Sequence, residues 1–194
     1  MSETFHYFGY GSLINDQTRP PALRAQNAVL HGWRREWRVT GELSLSWGAK
    51  HNICALSVRR DPTCSIAGVL VEEPVENLAS LDQREVRYQR FKVDVETQSG
   101  VNQSSYVYQA RKEHSEWGSI KSPICLSYID CVLQGVIHRF GQAALEAFFE
   151  TTDGWHVPIL NDRSGPIYPR AIKLSARETE LIDSHLKAYE VCWK

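Results

Sequence analysis

The sequence predicts an α+β protein: a small mixed β-barrel flanked by helices, with a helical C-terminal extension. Three observations carry this. From Thr4 to Ala110, apolar residues recur mostly with the period of strands, and turn residues separate the runs at hairpin spacing. From Ser122 onward the apolar spacing becomes helical. A set of about six hairpin-connected strands leaves edges exposed unless it closes, and a small barrel closes it best. The chain has 194 residues, 42% hydrophobic and 23% charged. That is the size and composition of one domain able to bury a core. Its expected division is a core over residues 4–110 and a helical part over 122–194.

Thr4 to Phe8 alternates aromatic and polar side chains and reads as the first strand. It runs into Gly9-Tyr10-Gly11-Ser12-Leu13, where glycines permit positive φ and close approach by a neighbour. Asn15-Asp16-Gln17 offers helix caps, and Pro20-Pro21 stops any long helix. Ala28 to Val39 reads as one long bent strand with a bulge near Gly32. Two readings fit its Trp33-Arg34-Arg35-Glu36-Trp37 segment: aromatic anchors inside with arginines in solvent, or a functional role. Gly41 to Asn52 is polar and glycine-punctuated, hence a loop. Ile53–Val58 and Ile66–Val71 are strands joined by a turn at Arg60-Asp61-Pro62-Thr63. Pro74 opens a helix whose apolar stripe is Val75, Leu78, Ala79, Leu81 and, less closely, Val86. Phe91, Val93 and Val95 then alternate with Lys92, Asp94 and Glu96 as a strand. Gln98-Ser99-Gly100 turns the chain, and Ser104 to Ala110 returns it.

In the last third, Ser122-Pro123 starts a helix over Ile124–Phe140, despite Gly135, and Gln142–Glu150 is a second. Thr151 to Arg170 is a long loop of a kind that is often functional. Ser175-Ala176-Arg177-Glu178 is a capping box opening a terminal helix, with Leu181, Ile182, Leu186 and Val191 on its faces.

Composition excludes several function classes. A net charge of −1 gives no attraction to nucleic acid or an acidic membrane. No apolar run approaches membrane-spanning length and Met1–Thr4 lacks a basic, apolar leader, so a cytoplasmic location is expected. The five cysteines, an odd number, include no C-x-x-C pair, and Cys125 and Cys131, six apart in an apolar segment, are expected to be buried free thiols. Seven scattered histidines show no metal-site spacing, so no metal site is expected.

Two stretches carry the chemistry. A strand followed by a Gly-x-Gly-Ser turn can build a nest of backbone N–H groups for an anion. The third glycine of a dinucleotide fingerprint and the Gly-Lys-Ser/Thr of a P-loop are both absent. The second stretch is Leu81-Asp82-Gln83-Arg84-Glu85-Val86-Arg87-Tyr88. Together, Tyr10-Gly11-Ser12-Leu13 and Asp-x-Arg-Glu-x-x-Tyr resemble the γ-glutamylcyclotransferase-like superfamily, closest to its ChaC-like bacterial branch. Gly32-Trp33-Arg34-Arg35 is similar to the Gly-aromatic-Arg-Arg segment of that branch. Leu160-Asn161-Asp162-Arg163 and Pro166-Ile167-Tyr168-Pro169-Arg170 look like a feature of one bacterial subgroup, outside the core motif.

The resemblance implies conversion of a γ-glutamyl compound (glutathione, or a γ-glutamyl amine or peptide) to 5-oxoproline with release of the amine. The substrate's α-amine attacks its own γ-carbonyl, so the enzyme chiefly holds a folded conformer, and the resemblance implies no cofactor. It also supplies a base, because an α-amine with a pKa of about 8 is mostly protonated at neutral pH, and donors for the oxyanion. Glu85 is the expected general base. It is placed near the end of the helix, on one face with Asp82 and Tyr88, while Arg84 and Arg87 point elsewhere. Tyr10, Gly11, Ser12 and Leu13 are expected to bind the α-carboxylate, with Tyr88 completing the pocket. By the same resemblance a later tyrosine lines the site, leaving Tyr106, Tyr108, Tyr128 and Tyr168 open. Two alternatives remain: a non-catalytic binding protein on the same fold, or a γ-glutamyl hydrolase or acyl transferase using Ser12.

Overall fold

A computed structural model describes residues 3–18, 24–44, 48 and 50–194. The strands of the first two thirds are β1 (Thr4–Gly9), β2 (Arg24–Ser44), β3 (Lys50–Pro74), β4 (Tyr88–Thr97) and β5 (Asn102–Ala110). They form a ring in the order β2-β4-β5-β1-β3, closed by the pairing of β3 with β2. All its pairings are antiparallel except β1 with β5, which run parallel through Tyr7 and Tyr106. The barrel is therefore mixed, as the sequence predicts, and closure removes the edges that an open sheet would expose.

The β2–β3 hairpin is longer than the sequence indicates. Strand pairing continues from Arg24–Glu72 to Ser44–Lys50, so both ends of the expected Gly41–Asn52 loop belong to strands. The bulge near Gly32 is present as a register shift between His31 and Trp33, with Gly32 at φ 77°. The expected turn at Arg60–Thr63 is the other half of that shift and lies within the single strand β3. Asp61 organises it by accepting from the Thr63 N–H at 3.1 Å and the Thr63 hydroxyl at 2.6 Å. A local Asp turn thus becomes a bulge, because its flanks stay paired to the same partner strand. Pro20-Pro21 lies outside the described residues.

A 3-10 turn (Val75–Asn77) precedes α1 (Leu78–Arg84), which is shorter than the expected helix. Glu85 is its C-cap, and Val86 is exposed rather than on the apolar stripe. The C-terminal third adds β6 (Ile124–Cys125), α2 (Leu126–Phe140), α3 (Ala144–Glu150), β7 (Thr152–Asp153), β8 (Ile159–Leu160) and α4 (Ala176–Ala188). The helix expected from Ile124 begins two residues later, because Ile124 pairs instead with Cys54 and Ile159. Asp162 caps α2 from afar, accepting from the Ser127 N–H and hydroxyl at 2.8 and 2.5 Å. The predicted capping box of Ser175 and Glu178 is formed, whereas Val191 lies beyond α4 and is buried there.

One hydrophobic cluster joins barrel and helices, from Phe8 and Leu70 through Trp37 and Leu56 to Ile129, Phe149 and Ile182. The helical part is packed into the core rather than appended to it. Among the described residues, no helix is long and apolar enough to cross a membrane.

Candidate active site

Where β1 leaves the barrel, the chain turns through Tyr10 and Gly11 into a 3-10 turn, Ser12–Ile14. As at any helix start, the first N–H groups of this turn find no acceptor within it. Three groups fix its position. The Arg35 Nε donates to the Tyr10 carbonyl at 2.9 Å. The Asn15 amide donates to the Cys131 carbonyl at 2.9 Å and the Gln134 side chain at 3.0 Å, tying the turn to α2. The Thr18 hydroxyl donates to the Ser12 carbonyl at 2.6 Å. Gly135, an apparent flaw in α2, is the contact point: a Cβ there would stand 2.6 Å from the Asn15 backbone nitrogen.

Neither glycine of the turn uses positive φ; close approach is the requirement. A Cβ on Gly11 would lie 3.1 Å from the Tyr128 hydroxyl. Arg35 itself is 1% exposed, so the reading that leaves it in solvent is corrected, while Trp33 and Trp37 are buried as anchors.

The turn forms one wall of a cavity of about 270 Å³. Leu56 of β3, Leu81 of α1 and Tyr108 of β5 line other walls, and Tyr128 of α2 stands near Gly11. The sequence-predicted Tyr10, Gly11, Ser12, Leu13, Glu85 and Tyr88 all reach this one space. Glu85 arrives from the helix cap and Tyr88 from the first position of β4, rather than from one helical face. The third member of that expected face, Asp82, instead accepts from the Tyr108 hydroxyl at 2.7 Å and pairs with Arg90.

Of the four open tyrosines, Tyr108, Tyr128 and Tyr168 line the cavity, whereas Tyr106 lies outside it, against Arg90. Arg84 and Arg87, expected to point away, both line it. Arg84 Nε donates to Glu85 at 3.0 Å, and Arg87 donates to the Glu42 carbonyl. Arg170 is the residue that sequence reasoning missed. It stands at the cavity with its Nε 3.0 Å from the Tyr168 hydroxyl. The hint was the long Thr151–Arg170 segment, whose Tyr168 is buried.

The electrostatics are lopsided. Among the described lining residues, Glu85 is the carboxylate, facing the guanidinium groups of Arg84, Arg87 and Arg170. Burial works against charge on Arg170, yet the Tyr168 hydroxyl, Tyr128 and Glu85 hold its pKa above the ordinary value. Burial pushes the Tyr10, Tyr88 and Tyr128 hydroxyls well up, and Tyr168 up as well. These tyrosines stay neutral and act as hydrogen-bond donors. Tyr10 donates to the Tyr108 carbonyl at 2.6 Å, and Tyr88 to the Leu56 carbonyl at 3.0 Å. The buried thiols of Cys54, Cys125 and Cys131 are pushed up to about 12 by burial, which leaves them poor nucleophiles at neutral pH.

A barrel with such a pocket at the exit of its first strand is the architecture of the γ-glutamylcyclotransferase-like proteins. A family model described as gamma-glutamyl cyclotransferase, AIG2-like, matches residues 7–123. The chain belongs to that family. Among solved structures, one named gamma-glutamyl cyclotransferase superposes with a TM-score of 0.61 at 21% identity, covering 94% of this chain and 99% of the other. An uncharacterized Homo sapiens protein gives 0.62 at 22% identity, with 93% and 99% covered. YkqA from Bacillus subtilis gives 0.54 at 19% identity, with 78% and 56% covered. These likenesses establish the shared fold. No curated protein matches the chain by sequence.

Proposed function

We propose that this protein is a γ-glutamyl cyclotransferase, converting a γ-glutamyl compound to 5-oxoproline and a free amine. The observation that carries the proposal is the carboxylate of Glu85, alone of its kind among the described lining residues, in a tyrosine-walled cavity shared with the motif turn. Its charge reaches Tyr10, Tyr88, Tyr108 and Arg170.

In this reading the turn N–H groups around Gly11 and Ser12 hold the substrate's α-carboxylate, as a nest holds an anion. Glu85 takes a proton from the α-ammonium group, and the freed amine attacks the γ-carbonyl carbon. The C–N bond to the leaving group then breaks, and a proton passes to the departing amine. The neutral Tyr128 and Tyr168 hydroxyls stabilise the oxyanion between those steps, and Arg170 holds an anionic part of the substrate. Glutathione is one such substrate. Kinship to the ChaC-like branch and a cytoplasmic location belong to the same proposal, resting on the Gly32–Arg35 segment and on composition.

The hydrolase alternative needs an activated Ser12. Its hydroxyl interacts with Tyr168, and no histidine lines the cavity among the described residues. Incubating the protein with a panel of γ-glutamyl compounds and measuring 5-oxoproline tests the proposal. Turnover of at least one compound is expected. Free glutamate as the product would favour the hydrolase, and no product from any compound would favour a binding protein.

A further inference from the structure

A second cavity, of about 200 Å³, opens between β2, β3 and the helices α2 and α3. Val29, Val136, Phe140 and Ala144 make its walls largely apolar, yet Arg35 also borders it. Arg35 is 1% exposed, and no carboxylate among the described residues forms an ion pair with it. A guanidinium carries five N–H donors. Three hydrogen bonds are formed: Nε to the Tyr10 carbonyl, Nη1 to the Thr151 hydroxyl at 3.2 Å, and Nη2 to the Ala67 carbonyl. The Phe148 ring covers the guanidinium carbon at 4.4 Å. A buried cation with neutral partners alone is costly, and the usual remedy is a carboxylate matched to its fork. Burial already draws the Arg35 pKa down to about 9, as expected of a cation lacking a counterion.

We propose that this cavity is a binding site for a small carboxylate with an apolar body, its oxygens on Arg35 and its hydrocarbon against Val29, Val136 and Phe140. A multiply charged anion such as phosphate fits poorly. Besides Arg35, the described lining residues offer only the Ser65 and Thr151 hydroxyls as polar side chains, and the remaining walls reward a hydrocarbon. The site is separate from the one that lies under the motif turn. Arg35 borders this cavity and not the other, and its Nε holds the Tyr10 carbonyl of the motif turn.

The test is thermal melting of the full chain with isovalerate, its neutral amide isovaleramide, and sodium chloride at matched ionic strength. Isovalerate should raise Tm saturably, as a ligand of the folded state does, and the other two should not. In Ala144→Leu, which fills the cavity from the half-buried wall of α3, the saturable rise should vanish. Nuclear Overhauser contacts from the isovalerate methyls to the Phe140 and Phe148 rings should place the ligand without any variant. No rise with isovalerate, or an equal rise with the amide or chloride, would overturn the proposal. Contacts to Tyr128 or Tyr168 would do the same by placing the ligand in the other cavity.

Discussion

Glu85 sits on the cap of a short helix, half-buried and bonded to Arg84. A residue so placed contributes little to the core, so its replacement reports on chemistry. Glu85→Gln keeps shape and hydrogen bonding while removing the proposed base. Turnover should fall by about 10²–10⁴-fold, the range for loss of a general base, with Tm nearly unchanged. Near-normal turnover in steady-state kinetics would remove Glu85 from the mechanism. Arg170 is expected to act differently, since in the proposed reaction it holds substrate charge rather than the reacting amine. Arg170→Gln should raise KM by about 10- to 100-fold, the worth of a hydrogen bond to a charged group, with a smaller effect on kcat. The residues of both motif stretches were readable because each stretch is local. Arg170 was not, because only the fold brings the end of the Thr151–Arg170 segment beside Glu85. The same holds for Arg35, whose burial depends on the carbonyls of Tyr10 and Ala67.

At the level of elements, periodicity identified the strands and helices well, and their ends less well. The long β2 strand and its bulge followed from alternation broken at Gly32. The 60–63 segment misled because its Asp-Pro-Thr chemistry is the same in a hairpin turn and in a bulge. Asp61 makes the difference measurable. Its carboxylate accepts from Thr63 and pairs with Arg34, and these contacts hold its pKa far below the usual range. A depressed carboxylate pKa stabilises the fold above the unfolded value of about 3.9, and that stabilisation fades as pH falls through the folded pKa. Asp61→Asn should therefore lower Tm at pH 7, and the gap from wild type should shrink steadily as pH is lowered below about 4. Melting curves across that range check it, and a gap independent of pH would contradict the assignment.

For the whole molecule, barrel closure was legible from the number of hairpins, since an open set would leave edges unpaired. The single parallel contact of β1 with β5, which completes the ring, has no sequence signature. The helical part also reads as an extension in sequence, yet it supplies Tyr128, Tyr168 and Arg170 to the cavity and covers Trp37 and Leu56. A chain ending after Lys121 retains most of the matched family segment, but should lose turnover and cooperative unfolding. Near-ultraviolet circular dichroism and a kinetic assay would show this, and full activity in the shortened chain would contradict it.

Ring closure by the substrate's own amine is the central claim, and the fate of solvent oxygen tests it most directly. The reaction is run to completion in water enriched in oxygen-18, and the γ-glutamyl product is analysed by mass spectrometry. Intramolecular attack leaves the original carbonyl oxygen in place, so the product should be 5-oxoproline without heavy oxygen. Glutamate carrying one heavy oxygen would mean that water, directly or after acylation of Ser12, is the attacking group.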